Sequence, residues 1–160
     1  MKVLSIDPGY DRMGVAILAH TKTGEKLLYS DCFMTQARDP FAKRLRAVGE
    51  EVIRLIEAYT PDVIALETLY FNANQKTALA VAEVRGVIHF IATVRDIPID
   101  EYTPQQAKIA VTGYGKSDKR HVATMVERLI HPVKRIVYDD EYDAIAIGIT
   151  CLSNRRQGNT

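Results

Sequence analysis

The sequence predicts an α/β fold, a mixed central sheet of about five strands flanked by helices. Three observations predict it. The first part of the chain holds three strand-like runs joined by short polar turns. A long amphipathic stripe with helical spacing separates them from the next apolar run. From there on, helical patterns alternate with one further strand.

Residues 3–6 are mostly apolar and stop at Asp7-Pro8-Gly9, where turn chemistry begins, so they read as a buried strand. Residues 13–19 and 27–33 are apolar or rich in strand formers, with Thr21-Lys22-Thr23-Gly24-Glu25 between them. The three runs make an antiparallel meander, with Gly24 marking the second turn. A helix is expected over 40–59, where Leu45, Val48, Val52, Ile53, Leu55 and Ile56 form the apolar stripe and Asp39 is the expected N-cap ahead of Pro40. Residues 62–66 form another buried strand, and Glu67 stands at its C-terminal end. Residues 74–94 read as a long helix capped by Asn74 and apolar around much of its circumference. Such a helix needs cover on more than one side, and in a small domain a partner subunit is an economical way to supply it. A fifth strand follows over 97–102, then shorter helices near 104–111 and 118–130, and a last helix over 140–152. Residues 1–152 are expected to form one domain and 153–160 a polar C-terminal tail.

With 160 residues, 47% of them hydrophobic and 26% charged, the chain has an ordinary globular balance and room for one core. Cys32 and Cys151 lie far apart and form no metal or disulfide pattern, so a reducing cytoplasm is the expected setting. The N-terminus carries an acid and a proline where a signal peptide needs an apolar run. The most apolar stretch, 78–94, is interrupted by Glu83 and Arg85 and does not read as a membrane span. Net charge is +1, yet residues 101–135 hold seven Lys and Arg against three acids. That local excess suits a phosphate backbone, although a solvated basic face has the same composition.

Acids are concentrated in three places. Asp7 ends the first strand, Glu67 ends the fourth, and Asp140 and Asp143 share one face of the last helix's first turn. In an α/β sheet, functional groups gather beyond the carboxyl ends of strands. Clustered carboxylates repel one another, so a cluster that stays ionised needs cations. Oxygen ligands without His or Cys favour magnesium, with manganese a substitute, over zinc. Two such ions suit phosphodiester hydrolysis, with Asp7 bridging them and Glu67 and the Asp140/Asp143 pair each holding one side. Each acid also has a plainer reading. Asp before Pro-Gly is a common turn residue, and Asp139 and Glu141, like their neighbours, are favoured by the helix dipole.

Five blocks resemble the RuvC resolvases, in order, over residues 3–150. They are Ile6-Asp7-Pro8-Gly9 followed by Gly14; Glu67-Thr68-Leu69-Tyr70-Phe71-Asn72-Ala73-Asn74; Ala82-Glu83-Val84-Arg85-Gly86-Val87-Ile88; Tyr102-Thr103-Pro104 through Lys108 to Thr112-Gly113-Tyr114-Gly115-Lys116-Ser117-Asp118-Lys119; and Asp140-Glu141-Tyr142-Asp143-Ala144-Ile145-Ala146-Ile147. The resemblance implies an RNase H-like fold, a homodimer, four metal-binding acids, and paired symmetric nicks that resolve four-way (Holliday) junctions in recombination and repair. It also implies partnership with a branch-migration motor. The sequence departs from the family pattern at Tyr70, where Phe is usual, at Glu83, where an amide is usual, and at Cys151, where His is usual.

Lys119 is the candidate for a positive group near the scissile phosphate. Lys108, Lys116 and Arg120 are expected on flanking phosphates, and Tyr70, Phe71 and Asn74 on DNA, with Tyr70 facing a base and Phe71 packing. The Gly-x-Gly-Lys run lacks the spacing of a P-loop. His121 and His131 have no second catalytic group at a fixed spacing and read as surface or backbone-contacting residues. Rival readings are an RNA-processing nuclease of the same fold, an actin-like or sugar-kinase ATPase, and a junction-binding module that does not cut.

Overall fold

The computed structural model describes residues 1–22, 24–68, 75–132 and 134–157. Five strands form one sheet in the order β3-β2-β1-β4-β5. Strands β1 (Lys2–Asp7), β2 (Arg12–Thr21) and β3 (Gly24–Met34) make the antiparallel meander, and Gly24 takes the positive φ of 119° that its turn requires. Helix α1 (Phe41–Tyr59) then carries the chain across to β4 (Val63–Glu67), which pairs parallel with β1 in the register Ile6↔Leu66. Helix α2 (Gln75–Val94) leads to β5 (Ile99–Tyr102), parallel to β4 at the sheet's edge. Helices α3 (Pro104–Thr112), α4 (Lys119–Ile130) and α5 (Asp139–Gln157) complete the chain.

Strand alternation decides which side chain meets which layer. Leu4, Ile6, Ile64 and Leu66 pack with Val48, Val52 and Leu55 of α1 and with Val84, Ile88 and Ile91 of α2. Val3, Val63 and Ala65 pack with α3, α4 and α5. Asp7 and Glu67 share parity with this second set, so both belong to the α5 side of the sheet. Helix α5 crosses there at close range: a Cβ on Gly148 would lie 2.7 Å from Ser5 Oγ, and one on Gly14 would lie 1.8 Å from the carbonyl oxygen of Asp140.

Two expectations differ from what forms. Pro40, not Asp39, is the N-cap of α1; the Asp39 carboxylate accepts from Lys43 Nζ at 3.1 Å instead. The last helix runs to Gln157, so residues 153–157 of the expected tail are helical. Arg155 clamps that end by donating to both oxygens of Asp100, at 2.6 and 2.9 Å. The Thr77–Val94 part of α2 is long and apolar enough to cross a membrane by length and composition alone, a test that a core helix also passes. One face of it packs into the core through Val84, Ile88, Ile91 and Ala92, while Leu79, Phe90 and Val94 on the outer side are more than 60% exposed. The expected cap at Asn74 lies outside the described residues.

Candidate active site

The site forms where the parallel pair β1/β4 ends. Because Ile6 and Leu66 are in register, Asp7 and Glu67 fall side by side, and their carboxyl groups share a hydrogen bond. Gly14, opposite Asp7 on β2, lets the first turn of α5 come in beside them. That turn brings Asp140 and Asp143, and the two diverge. Asp143 lines a cleft of about 140 Å³ with Glu67, Lys108 and Lys119. Asp140 Oδ2 lies 3.4 Å from Arg12 Nε on β2.

Burial and mutual repulsion dominate the electrostatics. Burial raises the Asp7 carboxyl well above its ordinary range, and its hydrogen bond to Glu67 and the charges of Glu67 and Asp140 raise it further. Burial also raises Glu67, and the Asp143 charge adds to this, against the hydrogen bond from Asp7 and the Arg85 and Lys119 charges. Asp143 is pushed up to about 6 by burial and then by the Asp7 charge. Lys119 lowers all three; its own pKa is raised, first by its hydrogen bond to Asp139 at 3.1 Å.

Two features of this region are unexplained by fold stability. Among the described residues, two buried side-chain oxygens lack a hydrogen-bond partner, Asp140 Oδ2 and Thr68 Oγ1, and both lie at this end of the sheet. The Arg12 approach is a Coulomb contact without hydrogen-bond geometry. Lys119 and Arg120 also open α4, at the positive end of its dipole, where cations are unfavourable. Asp118 offsets this by capping the helix, its Oδ1 accepting from the His121 N–H at 2.8 Å.

Among the described residues, no group of three or more His, Cys, Asp and Glu side chains is arranged to enclose an ion as it stands. Asp7 is paired with Glu67, and Asp140 Oδ2 faces Arg12. The donor set nonetheless fits a hard divalent cation. It offers only carboxylate oxygens, three of them on groups whose affinity for positive charge is raised, plus one orphaned carboxylate oxygen. A cation held there would relieve the repulsion.

Of the other expected site residues, Lys108 reaches the cleft from α3. Arg120 is exposed at the start of α4, and Lys116 is exposed in the turn before it. Tyr70, Phe71 and Asn74 lie outside the described residues. His121 and His131 are exposed. Sequence reasoning missed the contacts of four residues. Arg12 faces Asp140 and lies 5.7 Å from the centre of the Tyr138 ring. Arg85 donates to the Glu67 carbonyl oxygen and to Glu101 at 2.9 Å, fixing the strand end from α2. Asp139, read as a dipole residue, holds Lys119. Glu141 turns inward, accepting from Ser30 Oγ at 2.6 Å and pairing with Lys134 at 3.0 Å.

The family model for crossover junction endodeoxyribonuclease RuvC matches residues 3–151. The chain belongs to this family. It is 41% identical over 155 residues to the RuvC of Thermosipho melanesiensis, spanning 96% of this chain and 97% of that one. It is 40% identical over 157 residues to that of Petrotoga mobilis, spanning 98% and 96%. Among solved structures, T. thermophilus RuvC in complex with Holliday junction substrate superposes with a TM-score of 0.91 at 26% identity, covering 99% of this chain and 96% of that one. The mixed five-stranded sheet with flanking helices is therefore the RNase H-like fold of RuvC.

Proposed function

We propose that this RuvC-family chain is a metal-dependent endodeoxyribonuclease that resolves Holliday junctions by paired symmetric nicks in recombination and repair, and that its nuclease domain comprises residues 1–152 together with the rest of α5 to Gln157. The observation that carries the reading is the convergence of Asp7, Glu67 and Asp143 with Lys119, beside the orphaned oxygen of Asp140. Asp7, Glu67, Asp140 and Asp143 would hold two magnesium ions, or manganese in their place. Bound there, the ions would supply a nucleophile at neutral pH and neutralise charge on the scissile phosphate.

The chain's own residues do the rest. Lys119, at the cleft with Glu67 and Asp143, offsets negative charge as it grows on the phosphoryl oxygens. Lys108 in the cleft, with exposed Lys116 and Arg120, grips flanking phosphates and sets the strand's position without reading its sequence. Arg85 keeps the end of β4 in place from the carbonyl side of Glu67. Tyr70, Phe71 and Asn74 contact the DNA just past that strand, Tyr70 by stacking. A second copy of the chain covers Leu79, Phe90 and Val94 of α2, giving a homodimer whose two sites cut opposing strands. A branch-migration motor delivers the junction in the cytoplasm.

The test is a labelled synthetic four-way junction, a linear duplex and a structured RNA, each without metal, with magnesium and with manganese, with Asp7→Asn alongside. Paired nicks confined to the junction, lost without metal and in the variant, are expected. Cutting of structured RNA with no junction preference would overturn the substrate, and binding without cutting under either metal would overturn the nuclease.

A further inference from the structure

We propose that Tyr114, in the turn between α3 and α4, is a further DNA contact whose ring stacks on an exposed base at the junction. The inference rests on the junction-nuclease reading and adds a site to it.

The turn is held unusually firmly for a surface segment. Gly113 ends α3 in the left-handed region at φ 76°, with its N–H bonded to the Ile109 carbonyl at 2.8 Å. The Tyr114 N–H donates to Thr112 Oγ1 at 3.1 Å, and the Tyr114 carbonyl accepts from Ser117 Oγ at 2.8 Å. Thr112 Oγ1 and Ser117 Oγ are 2.8 Å apart, so the two hydroxyls tie the turn across its base. Ser117 is buried. Gly115 lies tight on α3, where an added Cβ would come 3.0 Å from Gln105 Cγ and 3.2 Å from Ile109 Cγ1.

Tyr114's backbone groups are thus engaged inward while its side chain is 59% exposed. Among the described residues its ring has no aromatic or cation–π partner. A ring so placed adds little to the core, and its rigid mount lowers the entropy lost when it makes a contact. Its surroundings say what it would contact. Lys116 is exposed two residues on, and the helices on either side of the turn send Lys108 and Lys119 into the active-site cleft. An exposed aromatic in a turn whose flanking helices carry cations into such a cleft is an arrangement that can hold unpaired or splayed bases. The cations take the phosphates and the ring takes the base face, whatever the base.

The experiment compares wild type, Tyr114→Ala, Tyr114→Phe and Tyr114→Trp by fluorescence anisotropy on a synthetic four-way junction with magnesium replaced by calcium. Cleavage in magnesium and thermal unfolding are followed in parallel. A 2-aminopurine probe at the crossover reports stacking. Removing one stacked base contact should weaken junction binding by Tyr114→Ala roughly 5- to 100-fold. The Phe and Trp variants should bind like wild type, every variant should melt like wild type, and the probe should be less quenched with the Ala variant alone. Binding and cleavage by Tyr114→Ala at wild-type levels would overturn the stacking contact and leave the nuclease reading standing. Equal losses in the Ala and Phe variants would overturn it in favour of a hydroxyl contact. A wild type that neither binds nor cuts the junction would take down both.

Discussion

Replacing Asp143 with asparagine should stabilise the metal-free protein at neutral pH and at the same time abolish cutting. Burial and the Asp7 charge push the Asp143 carboxyl from its ordinary 3.8 to about 6. For an acid, a raised folded-state pKa means that the folded protein holds the proton more tightly than the unfolded chain does. The favourable contribution is complete below about pH 4 and is lost as pH rises through about 6. Each decade corresponds to about 1.4 kcal/mol. Ionised Asp143 therefore costs about 2–3 kcal/mol at pH 8 relative to an uncharged isostere, after discounting for the water that reaches the cleft. Asparagine keeps the shape and removes the charge. In EDTA, Asp143→Asn should melt roughly 5–10 °C above wild type at pH 8 and level with it at pH 4. Excess magnesium should close the gap at pH 8 by stabilising wild type alone. The assay is thermal unfolding across pH 4–8, with and without magnesium, beside junction cleavage. A difference that is absent at pH 8, or equally large at pH 4, would refute the electrostatic account.

Gly14→Ala places a methyl 1.8 Å from the Asp140 carbonyl oxygen, so the first turn of α5 must retreat. Unfolding should become easier by about 1–3 kcal/mol, and cleavage should fall roughly 100-fold or more, read by urea titration and junction assay. Lys119→Ala should slow cleavage by about 10²- to 10³-fold without changing the melting temperature, because its pair with Asp139 is 68% and 62% exposed. Phe90→Glu puts a charge on a side chain that is 70% exposed on α2; sedimentation should show a monomer that keeps its melting profile, and an unchanged dimer would refute the proposed interface.

The order and kind of the elements were legible in the sequence because they rest on local periodicities. The period-two and buried runs marked β1 to β5, and helical stripes marked the helices between them. Asp7 and Glu67 stood out as acids at strand ends for the same reason. The ends of elements were less legible. Asp39 looked like a cap but pairs with Lys43, and the polar stretch after Leu152 looked like a tail although Arg155 anchors it to Asp100, 55 residues away.

What the sequence by itself determined was which residues make strands and helices, and that acids fall where strands stop and the last helix starts. Only the tertiary structure decided that Asp7 and Glu67 meet side by side, because that depends on the parallel β1–β4 pairing of segments 60 residues apart. It likewise decided that Arg12 rather than a lysine faces Asp140, that Asp139 holds Lys119, and that Glu141 turns to Ser30. Such contacts join distant segments, and their partners follow from sheet order and from the close crossing at Gly14 and Gly148, which no local propensity encodes.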